Sequence, residues 1–296
     1  MNQFPRIAVL GADGQVGSAL LRRAGLRHIS AVGFVEADAD LTDVDALRRV
    51  MTASGADVCI NTAAYTAVDR AESEPATAFA VNQDGARNVR EACRAAGARL
   101  FHLSTDYVFD GTQAAPYSEA DVPSPVGVYA RSKAGGETAV LSGDDPAIVL
   151  RTAWVFGLEG NNFVKTMLRL GAEREVVRVV NDQRGSPTYA EDLADAIIDL
   201  AQRTDPSPAG IYHVAGQGVA TWYEFAREIF AEAAVRGLKT PRLEAITTAE
   251  YPTPAKRPAN SVLDCNRVKL QFGIAVPHWR DGLRRMVEAH LGAAVS

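Results

Sequence analysis

At 296 residues, 47% hydrophobic and 23% charged, the chain has the balance of a soluble protein with room for one large domain or two unequal ones. A net charge of -5 excludes a global basic footprint and no stretch approaches ~18 uninterrupted apolar residues, so neither nucleic acid nor a membrane is an expected partner. Cys59, Cys93 and Cys265 are far apart and form no C-x-x-C pair, which points to reduced packing residues rather than zinc or redox chemistry.

The first residues, MNQFPR, have no charged segment, apolar stretch and small-residue cleavage site in the order of an export signal, and a cytoplasmic location is expected. Residues 6–10 (RIAVL) form a short apolar run of the buried-strand kind. GADGQVG follows at 11–17, then the helix-like SALLRRAGL. Gly11, Gly14 and Gly17 suit a turn in which the backbone bends tightly, approaches a pyrophosphate and lets the next helix lie against the strand. The helix start supplies free N–H groups for the phosphate. The spacing is G-x-x-G-x-x-G rather than G-x-G-x-x-G, so its weight comes from its place after a first strand.

Alternation continues with strand 29–35, a helix from about residue 43, strand 57–60, a long helix 75–96, strand 99–103, a helix carrying Tyr129, and strand 147–151. It predicts an α/β fold, a Rossmann-type doubly wound parallel sheet with ligands at the carboxyl ends of its strands. Asp40 and Leu41, residues 61–65 and residues 104–106 fall at those ends. Beyond residue 152 the pattern loosens into helices at 161–170 and 222–234, strands at 175–180 and 211–214, and a proline-rich loop region at 240–260. The expected division is a NAD(P)-binding Rossmann domain over 1–152 and a smaller, interleaved C-terminal substrate lobe over 153–296. Segments within about 175–215 return to the Rossmann sheet, helix 192–201 packing on the first domain, and a last helix spans 280–290.

Tyr129 and Lys133 stand four residues apart in YARSK, so on a helix they share a face and the ammonium lies beside the phenol. A free phenol titrates near ~10, and a fixed positive neighbour is the simplest means of lowering it to make a usable acid. A pair at this spacing arises by chance about 0.14 times per chain of this composition, so alone it is equally a solvated surface pair. Context decides between the two.

With the glycine loop, Ser104 and Thr105 at a strand end and Tyr-x-x-x-Lys on the next helix, the sequence resembles the extended short-chain dehydrogenase/reductases. More closely, NTAAYTAVDRAESEP (61–75), FAVN (79–82), LSTDYVFDG (103–111), YARSK (129–133), RTAWVFG (151–157) and NDQRGSPT (181–188) resemble dTDP-4-dehydrorhamnose reductases, over nearly the whole chain. The resemblance implies reduction of the 4-keto group of dTDP-4-dehydro-β-L-rhamnose to dTDP-β-L-rhamnose by NADPH or NADH. A ketone receiving hydride becomes an alkoxide, which needs a proton donor and a hydrogen bond aimed at the oxygen. The resemblance gives Tyr129 the first role and Thr105 the second, with Lys133 lowering the phenol pKa and holding the nicotinamide ribose. It also implies cofactor contacts from Gly11, Asp13, Gly14, Gln15, Val16, Gly17, Asp40, Leu41, Ala63, Ala64, Tyr65, Tyr129 and Lys133. Substrate contacts fall to Thr105, Asp106, Tyr129 and Trp154, where Asp106 is also read as a turn cap and Trp154 as core. Asn82 either orients the catalytic shell or is a buried structural amide. Arg257 and Ser261 reach the nucleotide sugar, or Arg257 faces solvent.

Two positions depart from the family pattern. Many relatives carry an acid at the end of the second strand for the ribose hydroxyls; here Val35 stands there with Glu36 next to it, which leaves NADH against NADPH open. In some members a carboxylate two residues after the third glycine bridges a dimer through a divalent ion. That position is Ala19 here and the five histidines lack ligand spacing, so no metal is expected, while a homodimer stays open. Two alternatives remain. Nucleotide-sugar dehydratases and epimerases share the superfamily, and dehydratases place Asp-Glu after the threonine to supply an extra acid; Tyr107 after Asp106 favours reduction. A non-catalytic regulatory subunit resembling that of methionine adenosyltransferase is the other, against which Thr105, Tyr129 and Lys133 argue.

Overall fold

The computed structural model describes residues 4–143, 145–203 and 209–293. Its centre is a six-stranded parallel sheet with the order Gly210–His213, Ala147–Thr152, Arg99–Thr105, Val58–Asn61, Ile7–Leu10, Ala31–Phe34. The strands at the centre are apolar runs rather than alternating ones, because helices cover both faces of the sheet: IAVL and VCIN are buried at every residue. Successive side chains go to opposite faces, so Ile7 and Val9 join one apolar cluster with Leu20, Phe101 and Ile197, and Ala8 and Leu10 another with Leu47, Met51 and Val149. This is the doubly wound α/β arrangement that the alternation predicts.

From Ile7–Leu10 the chain moves to one side, to Ala31–Phe34, and then crosses to the other, to Val58–Asn61. That reversal opens a crevice beyond the carboxyl ends of the two inner strands, where such sheets take ligands. The Thr62 hydroxyl ties the crevice floor by donating to the Leu10 carbonyl at 2.7 Å.

Helix Ala190–Ala201 lies on the same sheet, against helix Gln15–Leu26; Leu193 and Ile197 are fully buried, and Arg22, Arg23 and Arg27 reach Glu191, Asp195 and Asp199 at 2.6, 2.7 and 2.6 Å. Strand Val176–Val180, expected on the Rossmann sheet, instead pairs in parallel with Arg242–Ile246. The partner strand lies inside the region read as a proline-rich loop. Its run is bounded by Pro241 and by a turn in which the side chains of Thr247 and Glu250 cap each other's backbone, so it is short but regular. This pair packs with helices Phe163–Glu173, Trp222–Val235 and Trp279–Ala293 around Phe156, Met167, Phe225, Ile229 and Trp279, a separate apolar cluster. Among the described residues no helix is long and apolar enough to cross a membrane.

Candidate active site

A cleft of ≈ 850 Å³ lies at the carboxyl ends of the strands. Gly11, Asp13, Gly14, Gln15, Val16, Asp40, Leu41, Ala63, Ala64, Tyr65, Thr105, Asp106, Tyr129, Lys133 and Trp154 all line it. Of the residues singled out from the sequence, Gly17 lies beneath the lining, where a Cβ would overlap the Gly11 carbonyl, so it serves the packing of helix on turn. Gly11 has φ +76, and a Cβ there would stand 2.7 Å from the Ala63 backbone nitrogen. The first turn and the turn after Val58–Asn61 can meet only at a glycine. Helix Gln15–Leu26 begins at Gly14 with no side-chain cap, so its first N–H groups stay available to an anion at the crevice.

Asn61 sets the second turn: its Oδ1 accepts from Ala63 N at 3.1 Å, and its Nδ2 lies 3.1 Å from His102 Nδ1. Burial, then Lys133, holds the His102 imidazole well below its ordinary range, so it is neutral. At the outer end Asp40 accepts from both the backbone N–H and the hydroxyl of Thr42 at 2.8 Å, an Asx turn that shapes the wall. Glu36 lines the cleft there, whereas Val35 does not.

Tyr129 and Lys133 are carried by helix Val128–Leu141. No side chain of the helix's own N-cap closes its start; Glu72, from a distant turn, accepts from Val128 N at 2.7 Å. Asn82 ties that helix to the turn after strand Val58–Asn61, its Oδ1 accepting from Tyr65 N at 2.8 Å and its Nδ2 donating to Tyr65 O at 3.0 Å and to Ser132 Oγ at 2.9 Å. It sits in a π-helical turn, Ala80–Asp84, which divides the predicted helix 75–96 into Pro75–Phe79 and Gly85–Ala96. The extra residue of this underwound turn faces the amide inward. Asn82 is therefore a buried structural amide that also fixes the backbone beside Tyr129.

The electrostatics differ from the expectation at one point. Burial pushes the Tyr129 phenol up to about 12; the group that pulls it down is the Thr105 hydroxyl, not Lys133. Lys133, only 3% exposed, donates from Nζ to the Leu103 carbonyl at 2.8 Å, and burial pushes it down to about 8 against the opposing pull of Glu137. Desolvation wins at both residues because Lys133 is buried, Tyr129 is partly buried, and neither faces an unshared counter-charge. Glu137 is shared: its Oε1 accepts from Ser104 Oγ at 2.6 Å and Arg151 Nε at 2.8 Å, and its Oε2 from the second Arg151 nitrogen at 2.7 Å. This buried pair under Lys133 was not read from the sequence, although Glu137 stands four residues beyond Lys133 on the same helix face.

Thr105 ends its strand and caps the following turn, accepting from Tyr107 N at 3.2 Å and donating to Asp106 Oδ1 at 3.0 Å. Burial raises the Asp106 carboxyl to about 6, with Ser261 and then Thr105 opposing. Its Oδ2 is buried without a hydrogen-bond partner. Trp154 closes the far wall two residues beyond Thr152, which pairs in register with Thr105. Arg257 is neither solvated nor in the cleft lining: it pairs with Asp69 at 2.8 Å with its side chain 19% exposed. The lining also includes Arg70, Glu74 and Asn161, which sequence reasoning passed over; Arg70 and Glu74, four apart in sequence and paired at 2.8 Å, were the legible signal.

Fold and cleft together define the class: an oxidoreductase of the Rossmann type. The sequence matches the family described as RmlD substrate binding domain over residues 5–291. The chain belongs to that family, the dTDP-4-dehydrorhamnose reductases. The dTDP-4-dehydrorhamnose reductase of Sinorhizobium fredii is 42% identical over 293 residues, 97% of this chain and 98% of the relative. That of Escherichia coli is 39% identical over 288 residues, 95% and 96% of the two chains. Among solved structures, the Bacillus anthracis dTDP-4-dehydrorhamnose reductase in complex with NADP superposes with a TM-score of 0.90 at 37% identity, covering 97% of this chain and 99% of that one. The Thermus thermophilus UDP-glucose 4-epimerase complex with NAD, at 22% identity and a TM-score of 0.82 over 97% and 99% of the two chains, shares the fold alone.

Proposed function

We propose that this chain is a cytoplasmic reductase that converts dTDP-4-dehydro-β-L-rhamnose to dTDP-β-L-rhamnose with NADPH or NADH, Tyr129 donating the proton. The observation that carries the reading is the meeting of the glycine turn, Thr105, Tyr129 and Lys133 in one cleft. A dinucleotide suits the turn: the Gly11 approach leaves no room for a Cβ, and the uncapped start of helix Gln15–Leu26 offers N–H groups to a pyrophosphate. Gly11 to Val16, Asp40, Leu41 and Ala63 to Tyr65 would hold it, and the bound nicotinamide supplies the hydride. In this reading residues 1–152 bind the cofactor and 153–296 contribute the sugar side.

The remaining chemistry belongs to the side chains. As the C4 oxygen gains negative charge it takes the Tyr129 phenolic proton; a phenol held at about 12 by burial keeps that proton at neutral pH, as a donor must. Thr105 has one hydroxyl proton, given to Asp106 before the sugar arrives, and turning it to the carbonyl provides the hydrogen bond that strengthens in the transition state. Asp106 Oδ2, buried and without a partner, is an acceptor waiting for a sugar hydroxyl. Lys133, whose Nζ meets the Leu103 carbonyl at 2.8 Å, would donate to the nicotinamide ribose. Tyr107, edge-on to Tyr129 with ring centroids 5.8 Å apart, occupies the position where a dehydratase needs a second carboxylate.

The test is cofactor oxidation by purified protein, followed at 340 nm with NADPH and with NADH, in the presence and absence of dTDP-4-dehydrorhamnose. Oxidation that depends on the sugar and yields dTDP-rhamnose is expected; sugar consumption without cofactor oxidation would mean elimination or epimerisation instead.

A further inference from the structure

Trp154 carries an unusual backbone. Its φ is 46°, in the left-handed region that bulky side chains rarely enter, and among the described non-glycine residues only His28 shares that sign. Such a conformation persists only where the surroundings over-determine it. Two contacts do so here. The Trp154 indole lies face to face on Trp222, ring centroids 3.5 Å apart and planes 4° from parallel. Gly185 abuts the ring so closely that a Cβ there would overlap Cε2. One face of Trp154 is thus already covered, and the ring has no room to swing toward Gly185.

Trp222 is itself held. It is the first residue of helix Trp222–Val235, whose N-cap Thr221 accepts from Glu224 N at 3.1 Å while Glu224 accepts from Thr221 N at 2.8 Å, a complete capping box. The Thr221 hydroxyl also donates to Asn181 Oδ1 at 2.7 Å, fixing the helix start to the end of strand Val176–Val180. Phe163 packs on Trp222 with centroids 4.7 Å apart. Trp222 does not line the cleft, so any effect it has on a ligand passes through Trp154.

We propose that Trp222 is a positioning residue for the nucleotide sugar. It pins Trp154 in its strained backbone state, so that the indole forms a fixed wall beside Thr105 at the sugar end of the cleft. This rests on the reading of the cleft as a reductase site. Because one face of Trp154 belongs to Trp222, that wall does not close over the sugar from both sides; the fit is set by where the stack places the ring. Asn162, next to Phe163, bonds Gln15 of the glycine turn at 3.1 Å, so the indole pair reaches the cofactor side indirectly and the sugar side directly through Trp154.

Trp222→Leu, Trp222→Phe and wild type separate the possibilities. Two indoles stacked this closely couple their transitions, and the couplet in the far-ultraviolet circular dichroism reports the stack directly. Trp222→Leu should lose the couplet and raise the KM for dTDP-4-dehydrorhamnose about tenfold with kcat and the NADPH KM within about twofold, and Trp222→Phe should recover most of the sugar KM. A folded Trp222→Leu protein without the couplet but with an unchanged sugar KM overturns the proposal, as does a parallel rise in both KM values, which marks general loosening. If Trp222→Leu does not fold, Gly185→Ala takes its place, since its Cβ displaces the same ring: the sugar KM must rise with the NADPH KM unchanged, or the proposal fails. Quenching of tryptophan fluorescence by dTDP-rhamnose reads the wall without turnover. A wild type that binds dTDP-rhamnose but turns nothing over defeats the proposed reaction and leaves this inference standing on the binding data of the same variants.

Discussion

Tyr129 is held in its protonated form, and the physical cause is burial rather than its lysine. The four-residue spacing places Lys133 on the right face, which the sequence made legible, but the ammonium is engaged by the Leu103 carbonyl and its charge is shared with Glu137. Spacing on one helix cannot reveal a carbonyl presented by a neighbouring strand. The consequence is testable through pH. Burial lowers Lys133 from the usual 10.5 to about 8, so the ammonium form is complete well below that value and is lost as pH rises through it. A kcat profile that falls with an apparent pKa near 8 is expected; a flat profile to pH 10 would mean that the charge of Lys133 plays no part. Glu36 makes a second residue-scale prediction. It lines the outer end of the cleft, where a carboxylate suits two ribose hydroxyls and repels a 2′-phosphate. NADH should therefore give the higher kcat/KM, and Glu36→Arg should move the preference toward NADPH by about tenfold or more, measured as the ratio of the two kcat/KM values.

At the scale of elements, the site depends on how closely two helices approach. The π-helical turn at Ala80–Asp84 brings the Asn82 carbonyl so near helix Val128–Leu141 that a Cβ on Gly136 would overlap it. The obstacle is backbone and cannot move aside, so Gly136→Ala must push the helices apart. A loss of about 1–3 kcal/mol is expected, read from the shift in the urea midpoint at constant slope, together with a lower kcat because Asn82 and Ser132 lose register. The strands and the periodic helices were readable from apolar runs and their alternation, and strand-end positions such as Thr105 and Ala63 followed from them. The π-helical turn was not, since its residues fit an ordinary helix in pattern and only the packing against Gly135 and Gly136 selects the extra residue. Strand Arg242–Ile246 escaped for another reason: five residues between Pro241 and the proline-rich stretch 252–258, alternating without a buried centre, carry too little pattern until Val176–Val180 is there to pair with them.

For the whole molecule, the cleft is bounded by parts of the chain far apart in sequence, and tertiary contacts hold them. Asp69, four residues past Tyr65, binds Arg257, which lies beside Tyr107, at 2.8 Å. The sequence offered Arg257 as a solvated residue or a ligand contact because a partner 188 residues away leaves no local trace. With Asp69 42% exposed the pair is a modest clasp. Arg257→Ala should raise the KM for the nucleotide sugar by up to about fivefold with the NADPH KM unchanged, measured by steady-state kinetics; an equal rise in both would place the clasp's effect elsewhere. The central claim is that this assembly reduces a ketone with Tyr129 as the acid. The measurement that tests it most directly is the rate of NADPH oxidation dependent on dTDP-4-dehydrorhamnose in Tyr129→Phe, taken beside the NADPH Kd of the same protein. Turnover lower by about 10²–10⁴-fold with the Kd close to wild type is predicted. Near-normal turnover in Tyr129→Phe would contradict it and assign the proton to another group.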